Sequence, residues 1–307
     1  MIGQRGPYQW SVVVFARNEA ARILGSLGAV EDALRGRNAF VTVLINGSSD
    51  KTASLVKTYL PGMSVDNAAY SIAYGCKSNA INQFVHALRP KAEYYLFVDA
   101  TVSIGPDVPA LFQNAFEADA SIQAVSGLPK NGRGAEAMRK LAELAPRLFG
   151  QMFAVRGSVV ESFVARNRRL PVALYRGDGL LSGFMVHETN GVAHADPAPR
   201  LATVPEAQWG VKSLSPFDIS DIRAAFNRRV RQSRGRLENL AWNSIIWDRG
   251  FGALPANADD MILEWLAQHD LPAVGLTERI FRSIALQRIR NSRRPDEASL
   301  TPRPLGP

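Results

Sequence analysis

Three stretches of this chain place carboxylates, amides and hydroxyls directly behind short runs of β-branched and aromatic residues. Ser11 to Phe15 runs into Ala16-Arg17-Asn18-Glu19, Phe40 to Ile45 into Asn46-Gly47-Ser48-Ser49-Asp50, and Tyr94 to Val98 into Asp99-Ala100-Thr101. A carboxylate that ends an apolar strand can bind a divalent cation, and such a cation can bridge two phosphates. Taken singly, Asn, Ser and Asp at these points are ordinary turn and cap residues. Their joint occurrence behind three runs is what that reading explains poorly. Further along, Asp178 lies in Arg176-Gly-Asp-Gly-Leu-Leu after a proline-marked turn, where it reads as a helix N-cap or as a working carboxylate. Arg228, Arg231 and Arg234 recur at a spacing that puts them near one face of a helix, and guanidinium groups bind phosphate oxygens with a fork of donors.

The elements that must position these residues follow from the pattern of apolar residues. The N-terminal half alternates short strand-like runs with longer amphipathic stretches, which predicts parallel strands joined by crossover helices. Helices are expected over 19–34, 50–60, 78–88, 110–118, 135–149 and 177–186, with further extended runs at 64–68, 121–126, 151–155 and 201–204. In such a sheet, ligands collect outside the carboxyl ends of the strands, where loops and helix N-termini converge. From Phe217 to about Arg290 only helices are expected, with breaks at Gly250–Pro255 and Leu271–Gly275. The proline-containing stretch over 291–307 is expected to be disordered. The fold class is therefore α/β, a mostly parallel, Rossmann-like sheet flanked by helices, followed by a C-terminal helical region.

With 307 residues, 46% apolar and 21% charged, the chain has the balance of an ordinary globular protein. No stretch approaches the ~20 apolar residues of a membrane span. The single cysteine, Cys76, cannot form an internal disulfide, and no export signal is read at the start, so the expected compartment is the cytoplasm. A net charge of +8 favours anionic partners without choosing among them.

Quoted together, Val12-Val-Val-Phe-Ala-Arg-Asn-Glu19, Val43-Leu-Ile-Asn-Gly-Ser-Ser-Asp-Lys-Thr52, Gly75-Cys-Lys-Ser-Asn-Ala-Ile-Asn82 and Tyr95-Leu-Phe-Val-Asp-Ala-Thr101 resemble, in order, four motifs of the family 2 glycosyltransferases. Leu170-Pro171 with Asp178, and Arg228-Arg-Val-Arg-Gln232, continue the likeness, which covers roughly residues 10 to 235. The resemblance implies a GT-A fold and inverting transfer of a sugar from a nucleotide diphosphate sugar to a carbohydrate or lipid-linked acceptor. It implies a nucleotide-sugar domain over 1–205 and a helical acceptor or assembly region over 206–290.

Residue by residue, the resemblance implies donor contacts from Ala16, Asn18, Glu19, Asn46, Lys77, Asp99, Ala100, Thr101, Arg228 and Arg231. Asn46 stands where the family usually has an aspartate that accepts from uracil, so a base other than uracil becomes permissible. Thr101 replaces the second acid of the DxD metal motif, which lowers the expected affinity for Mg2+ or Mn2+. Asp99 is then the metal ligand, with His194, or Asp196 in its place, completing the shell. Asp178 is the expected general base, although Gly177 replaces the preceding glutamate. Gln232 replaces the tryptophan of the polymer-synthase segment, a departure from processive synthases.

A nucleotidyltransferase would carry a glycine-rich loop after the first strand, and a nicotinamide dehydrogenase a GxGxxG; neither is present. The substitutions at Asn46, Thr101, Gly177 and Gln232 support an alternative, a weakly catalytic homologue serving as a binding or scaffold subunit. Nucleic-acid binding is disfavoured, because the arginine segment lacks interleaved aromatics. Trp242, Ile245, Ile246, Trp247, Met261, Ile262 and Trp265 are expected to pack on the catalytic domain, with a homodimer face or a peripheral membrane surface as alternatives.

Overall fold

The computed structural model describes residues 7–132, 134–185, 200–211 and 219–306. At its centre strand β1 (Tyr8–Ala16) pairs in parallel with β2 (Ala39–Asn46) on one side and β4 (Ala92–Asp99) on the other, and β3 (Asp66–Ile72) extends the parallel part beyond β2. The register sets Phe15 beside Asp99 and Ala16 beside Ile45, so the polar residues that follow these strands emerge side by side.

The other half of the sheet is mixed. Strand β7 (Met152–Arg156) runs antiparallel between β4 and β6 (Ala124–Pro129), β8 (Leu201–Val211) lies parallel to β6, and β5 (Val102–Ile104) pairs antiparallel with β8. The full order is β5-β8-β6-β7-β4-β1-β2-β3-β9, with β9 (Arg303–Pro304) at the far edge. The α/β class holds. Strand direction beyond β4 was not legible, because β7 and β6 carry the same continuous apolar pattern whichever way they run.

Both faces of the sheet are covered. On one, Trp10, Val12 and Val14 pack against Ile23 and Leu27 of α1 (Ile23–Leu34) and against Phe112 and Phe116 of α4 (Val108–Ala118). On the other, Phe15, Phe97 and Phe153 share a core with Leu180 and Leu181 of α7 (Gly177–Gly183) and with the C-terminal helices. Those are α8 (Ile219–Arg249), contributing Leu237, Ala241 and Ile245, α9 (Ala258–Leu266), contributing Met261, Ile262 and Trp265, and α10 (Leu276–Arg290), contributing Ile289. The helical region thus completes the sheet's core instead of forming one of its own. The remaining helices are α2 (Thr52–Tyr59), α3 (Lys77–Gln83, continued by a π turn to Leu88), α5 (Ala135–Leu144), α6 (Gly157–Ala165) and α11 (Glu297–Leu300).

Several expectations need correction. A boundary after residue 205 would cut β8, which continues to Val211. Helix α6 was not anticipated, and α1 begins at Ile23 because Glu19 to Arg22 form a turn in which Arg22 and Ile23 donate to the Glu19 carbonyl. The stretch expected to be disordered is tied down. Asp296 caps α11 through the Ser299 N–H, β9 pairs with the edge of β3, and Leu305 N–H donates to the Ala69 carbonyl at 2.9 Å. An edge strand offers unpaired backbone groups, and prolines are tolerated there because only one side needs donors.

Candidate active site

The ends of β1, β2 and β4 open into a cleft with a cavity of about 800 Å³. Its floor is Phe15, Ala16, Asn46, Asp99 and Thr101; the loop 74–77 forms one wall; Gly150, residues 173–178 and the α8 face around Arg231 and Arg234 form the other.

Asp99 is the last residue of β4, lines the cleft and retains 24% exposure of its side chain. Burial pushes its carboxyl above the ordinary range, Lys77 pulls it back, and the nearby Asp178 charge raises it again. Lys77, the first residue of α3, forms an ion pair with Asp99 Oδ1, and its ammonium also donates to the Gly150 carbonyl at 2.6 Å. The same ammonium lies 5.6 Å from the centre of the Phe15 ring. Asp178, in the first turn of α7, packs its carboxylate against Gly150 and accepts from the Gly179 N–H at 3.0 Å. Gly150 is therefore the meeting point of the Lys77–Asp99 pair and Asp178.

The turn after β2 is held by close backbone contact. Gly47 has φ of +69°, and a Cβ there would lie 2.5 Å from the Gly75 Cα, so no side chain fits. Asn46 Oδ1 accepts the Cys76 N–H at 2.9 Å, and Arg17 donates to the Gly75 carbonyl at 2.9 Å. Glu19 lines the cleft as a buried carboxylate whose proton affinity is raised by desolvation and lowered by Arg22, which donates to Oε2 at 2.7 Å.

Asp178 is delivered by a strap, residues 170–176, that no strand holds. Asn82 bonds both the N–H and the carbonyl of Leu170, and Ser78 donates to the Pro171 carbonyl at 2.7 Å. Val172 pairs with the segment before α9 through Ala256 and Ala258. From α8, the fully buried Glu238 accepts the N–H groups of Tyr175 and Arg176 at 2.9 to 3.0 Å. Arg234 joins that carboxylate at 2.9 Å, the Ala173 carbonyl at 2.7 Å and Asp259 at 2.7 Å, and Asp259 in turn pairs with Arg294 at 3.0 Å. Burial raises the proton affinity of Glu238 against the pull of Arg234 and the two N–H groups; Arg234 is buried too, but Glu238 and Asp259 outweigh this and hold its proton more tightly.

Of the residues the sequence pointed to, Ala16, Glu19, Asn46, Lys77, Asp99, Thr101, Asp178 and Arg231 converge on the cleft. Three do not line it. Ala100 is wholly buried and its N–H donates to the Phe15 carbonyl, Asn18 is a turn residue with φ of 54° whose amide oxygen accepts the Ser49 N–H, and Arg228 is exposed on α8 away from the cavity. Asn18 carries the polar side chain that a loop needs locally, and Arg228 lies on a neighbouring helix face. His194 and Asp196 lie outside the described residues. The strap and its anchor Glu238 were missed: Arg234 and Glu238 are four apart on a helix, a spacing that reads in sequence as a surface pair.

A divalent cation suits this donor set. Among the described residues no three His, Cys, Asp or Glu side chains gather as a metal cluster. Asp99 and Thr101 nonetheless line the cleft together, a carboxylate and a hydroxyl oxygen of the kind such a cation takes.

No protein-family model and no curated protein sequence matches the chain. Solved structures do. A mannosyltransferase from Pyrobaculum calidifontis, in complex with GDP-Man and Mn2+, superposes with a TM-score of 0.57 at 16% identity over 93% of this chain and 86% of that one. The Staphylococcus aureus TarS segment 1–349, in complex with UDP, gives a TM-score of 0.50 at 15% identity over 91% and 71%. At these identities the likeness is one of fold, and the expected GT-A architecture is borne out.

Proposed function

We propose that this chain is a metal-assisted, inverting glycosyltransferase that moves a sugar from a nucleotide diphosphate sugar to an acceptor hydroxyl. The observation that carries the reading is the placement of Asp99 and Asp178 in one cleft, the first at the end of a central strand and the second on the opposing wall, with Lys77 and Gly150 between them. The solved structures of the same fold include a mannosyltransferase holding GDP-Man and Mn2+, and this supports the reading.

The donor would lie over the strand ends, its base at Asn46 and Glu19 and its diphosphate toward Asp99. Asp99 and Thr101 would hold Mg2+ or Mn2+, which when bound neutralises charge on the departing diphosphate. Lys77 supplies a positive charge beside the same carboxylate, and Arg231, whose guanidinium lies over the Tyr175 ring, adds another from α8. Asp178 takes the proton of the acceptor hydroxyl as that oxygen attacks the anomeric carbon, and the bond to the diphosphate breaks with its electron pair leaving on the phosphate oxygen. Attack from the face opposite the diphosphate inverts the anomeric centre. The acceptor would be a carbohydrate or a lipid-linked hydroxyl, and no helix among the described residues is long and apolar enough to cross a membrane.

The test is a calorimetric titration of UDP, GDP, CDP and dTDP with and without manganese, repeated on Asp99→Ala. Micromolar binding of one diphosphate, strengthened by metal and lost in the variant, is the expected result. A folded protein that binds none of them sinks the reading and brings forward the scaffold alternative.

A further inference from the structure

The wall that carries Asp178 also carries a cation to which the proposed transfer gives no task. Arg176 lines the cleft, half-buried, two residues before Asp178. The other cations of the cleft are engaged within the protein: Lys77 by Asp99 and the Gly150 carbonyl, Arg234 by Glu238, Asp259 and the Ala173 carbonyl, Arg17 by the Gly75 carbonyl, and Arg231 by the face of the Tyr175 ring. The Arg176 guanidinium meets no acceptor and no carboxylate among the described residues. Asp178 does not supply one, since its carboxylate rests against Gly150 and takes the Gly179 N–H. The place of Arg176 is nonetheless fixed. Glu238 accepts its N–H at 3.0 Å, which holds the backbone, and its stem lies across α8 at Gly235, where a Cβ would come within 2.6 Å of Nε and 2.9 Å of Cγ. Glycine is disfavoured inside a helix, yet this buried one sits in the interior of the 31-residue α8, and the room that it leaves is taken by Arg176. A cleft-facing guanidinium held in place without a counter-charge suits an oxyanion, because its fork of donors matches two oxygens of a phosphate.

We propose that Arg176 binds a phosphate carried by the acceptor, so that the acceptor is a hydroxyl compound bearing a phosphate group, either a soluble ester or the headgroup of a lipid. On the proposed function the donor diphosphate has other partners, the cation at Asp99 and Thr101 with Lys77 and Arg231 beside it. The anion at Arg176 anchors the acceptor on the opposing wall with its hydroxyl toward Asp178. Both residues sit on one short segment, so the separation between the bound phosphate and the base is set by the strap and by Glu238. The inference rests on the nucleotide-sugar reading above and adds to it the class of the acceptor.

Inorganic phosphate is the probe, titrated by calorimetry into protein saturated with magnesium and whichever of UDP, GDP, CDP and dTDP it binds, so that the donor site is already filled. The wild type should bind phosphate, and Arg176→Gln should weaken it by about tenfold or more while diphosphate affinity stays within twofold. Gly235→Ala keeps every charge and displaces the Arg176 stem, so it should weaken phosphate as well; an unchanged affinity overturns the placement. Loss of diphosphate and phosphate by the same factor in Arg176→Gln assigns the residue to the donor and overturns the inference, as does phosphate binding that ignores the substitution or is absent from the diphosphate-bound wild type. Two competitors then separate the sources. Displacement of phosphate by glycerol phosphate identifies a soluble ester, and Arg176-dependent sedimentation with phosphatidylcholine vesicles containing phosphatidic acid identifies a lipid headgroup. A phosphate that neither replaces is an adventitious ion only, which overturns the acceptor assignment. A wild type that binds none of the four diphosphates overturns the nucleotide-sugar reading and this inference with it.

Discussion

On the floor of the cleft, Ala16, Asn46 and Asp99 are brought level by the register of three parallel strands, whereas on the opposing wall Asp178 follows a strap held by side chains from α3, α8 and the segment before α9. The floor is set by backbone ladders, which are redundant: loss of one side chain leaves the strand ends where they were. The wall is set by a few buried polar groups, each close to irreplaceable, because an uncompensated charge or N–H in that interior has no water to turn to. On the proposed function, a cleft built this way would keep a constant donor platform and could vary its acceptor wall through a small number of residues.

The comparison can be broken at four points. Asp178→Asn should have the largest effect, a fall in kcat of about 10²- to 10⁴-fold with diphosphate affinity unchanged, read by steady-state kinetics beside calorimetry. An unchanged kcat would remove Asp178 from the reaction. Glu238→Ala should come next, lowering unfolding stability by about 3–5 kcal/mol in denaturant titrations because it takes one of two carboxylate partners from the buried Arg234 and leaves the Tyr175 and Arg176 N–H groups unpaired in the interior. In a variant still folded, kcat should fall while diphosphate binding persists; equal losses of both would show that floor and wall are not independent.

Gly47→Ala should cost about 1–3 kcal/mol from its left-handed φ and its contact with Gly75, and should weaken nucleotide binding without altering turnover at saturation. The smallest effect concerns pH. Because the Asp99 carboxyl is raised above the ordinary range, metal-dependent activity should fall as pH drops through a value higher than a free aspartate's, and this acid limb should be displaced in Lys77→Met. For folding the sign is reversed relative to a salt-bridged carboxylate of lowered pKa. The contribution of Asp99 is full below its unfolded value and is lost as pH rises through its folded one, so Asp99→Asn should melt no lower than the wild type at neutral pH. A clearly lower Tm would mean that the Lys77 pair outweighs desolvation.

Much of the floor was legible in the residues. The runs ending at Phe15, Ile45 and Val98 are short, β-branched and bounded by polar turns, and this pattern admits few structures besides buried parallel strands. Local sequence does not say which polar residue after a strand faces the ligand. Asn18 and Asp99 look alike on paper, yet Asn18 spends its amide on Ser49 while Asp99 faces the cleft.

By itself, then, the sequence determined most of the strands and helices of the N-terminal half, the α/β class and the set of strand ends where chemistry collects, because hydrophobic periodicity and turn chemistry act over a few residues. Only the tertiary structure decided the antiparallel half of the sheet, the ordering of the C-terminal stretch against β3, the bond between the Asn46 oxygen and Cys76 and the hold of Glu238 on the strap. Each of these joins groups far apart in the sequence, and a bond between distant residues leaves no local signature: it exists only once the packing that excludes water has brought its two ends together.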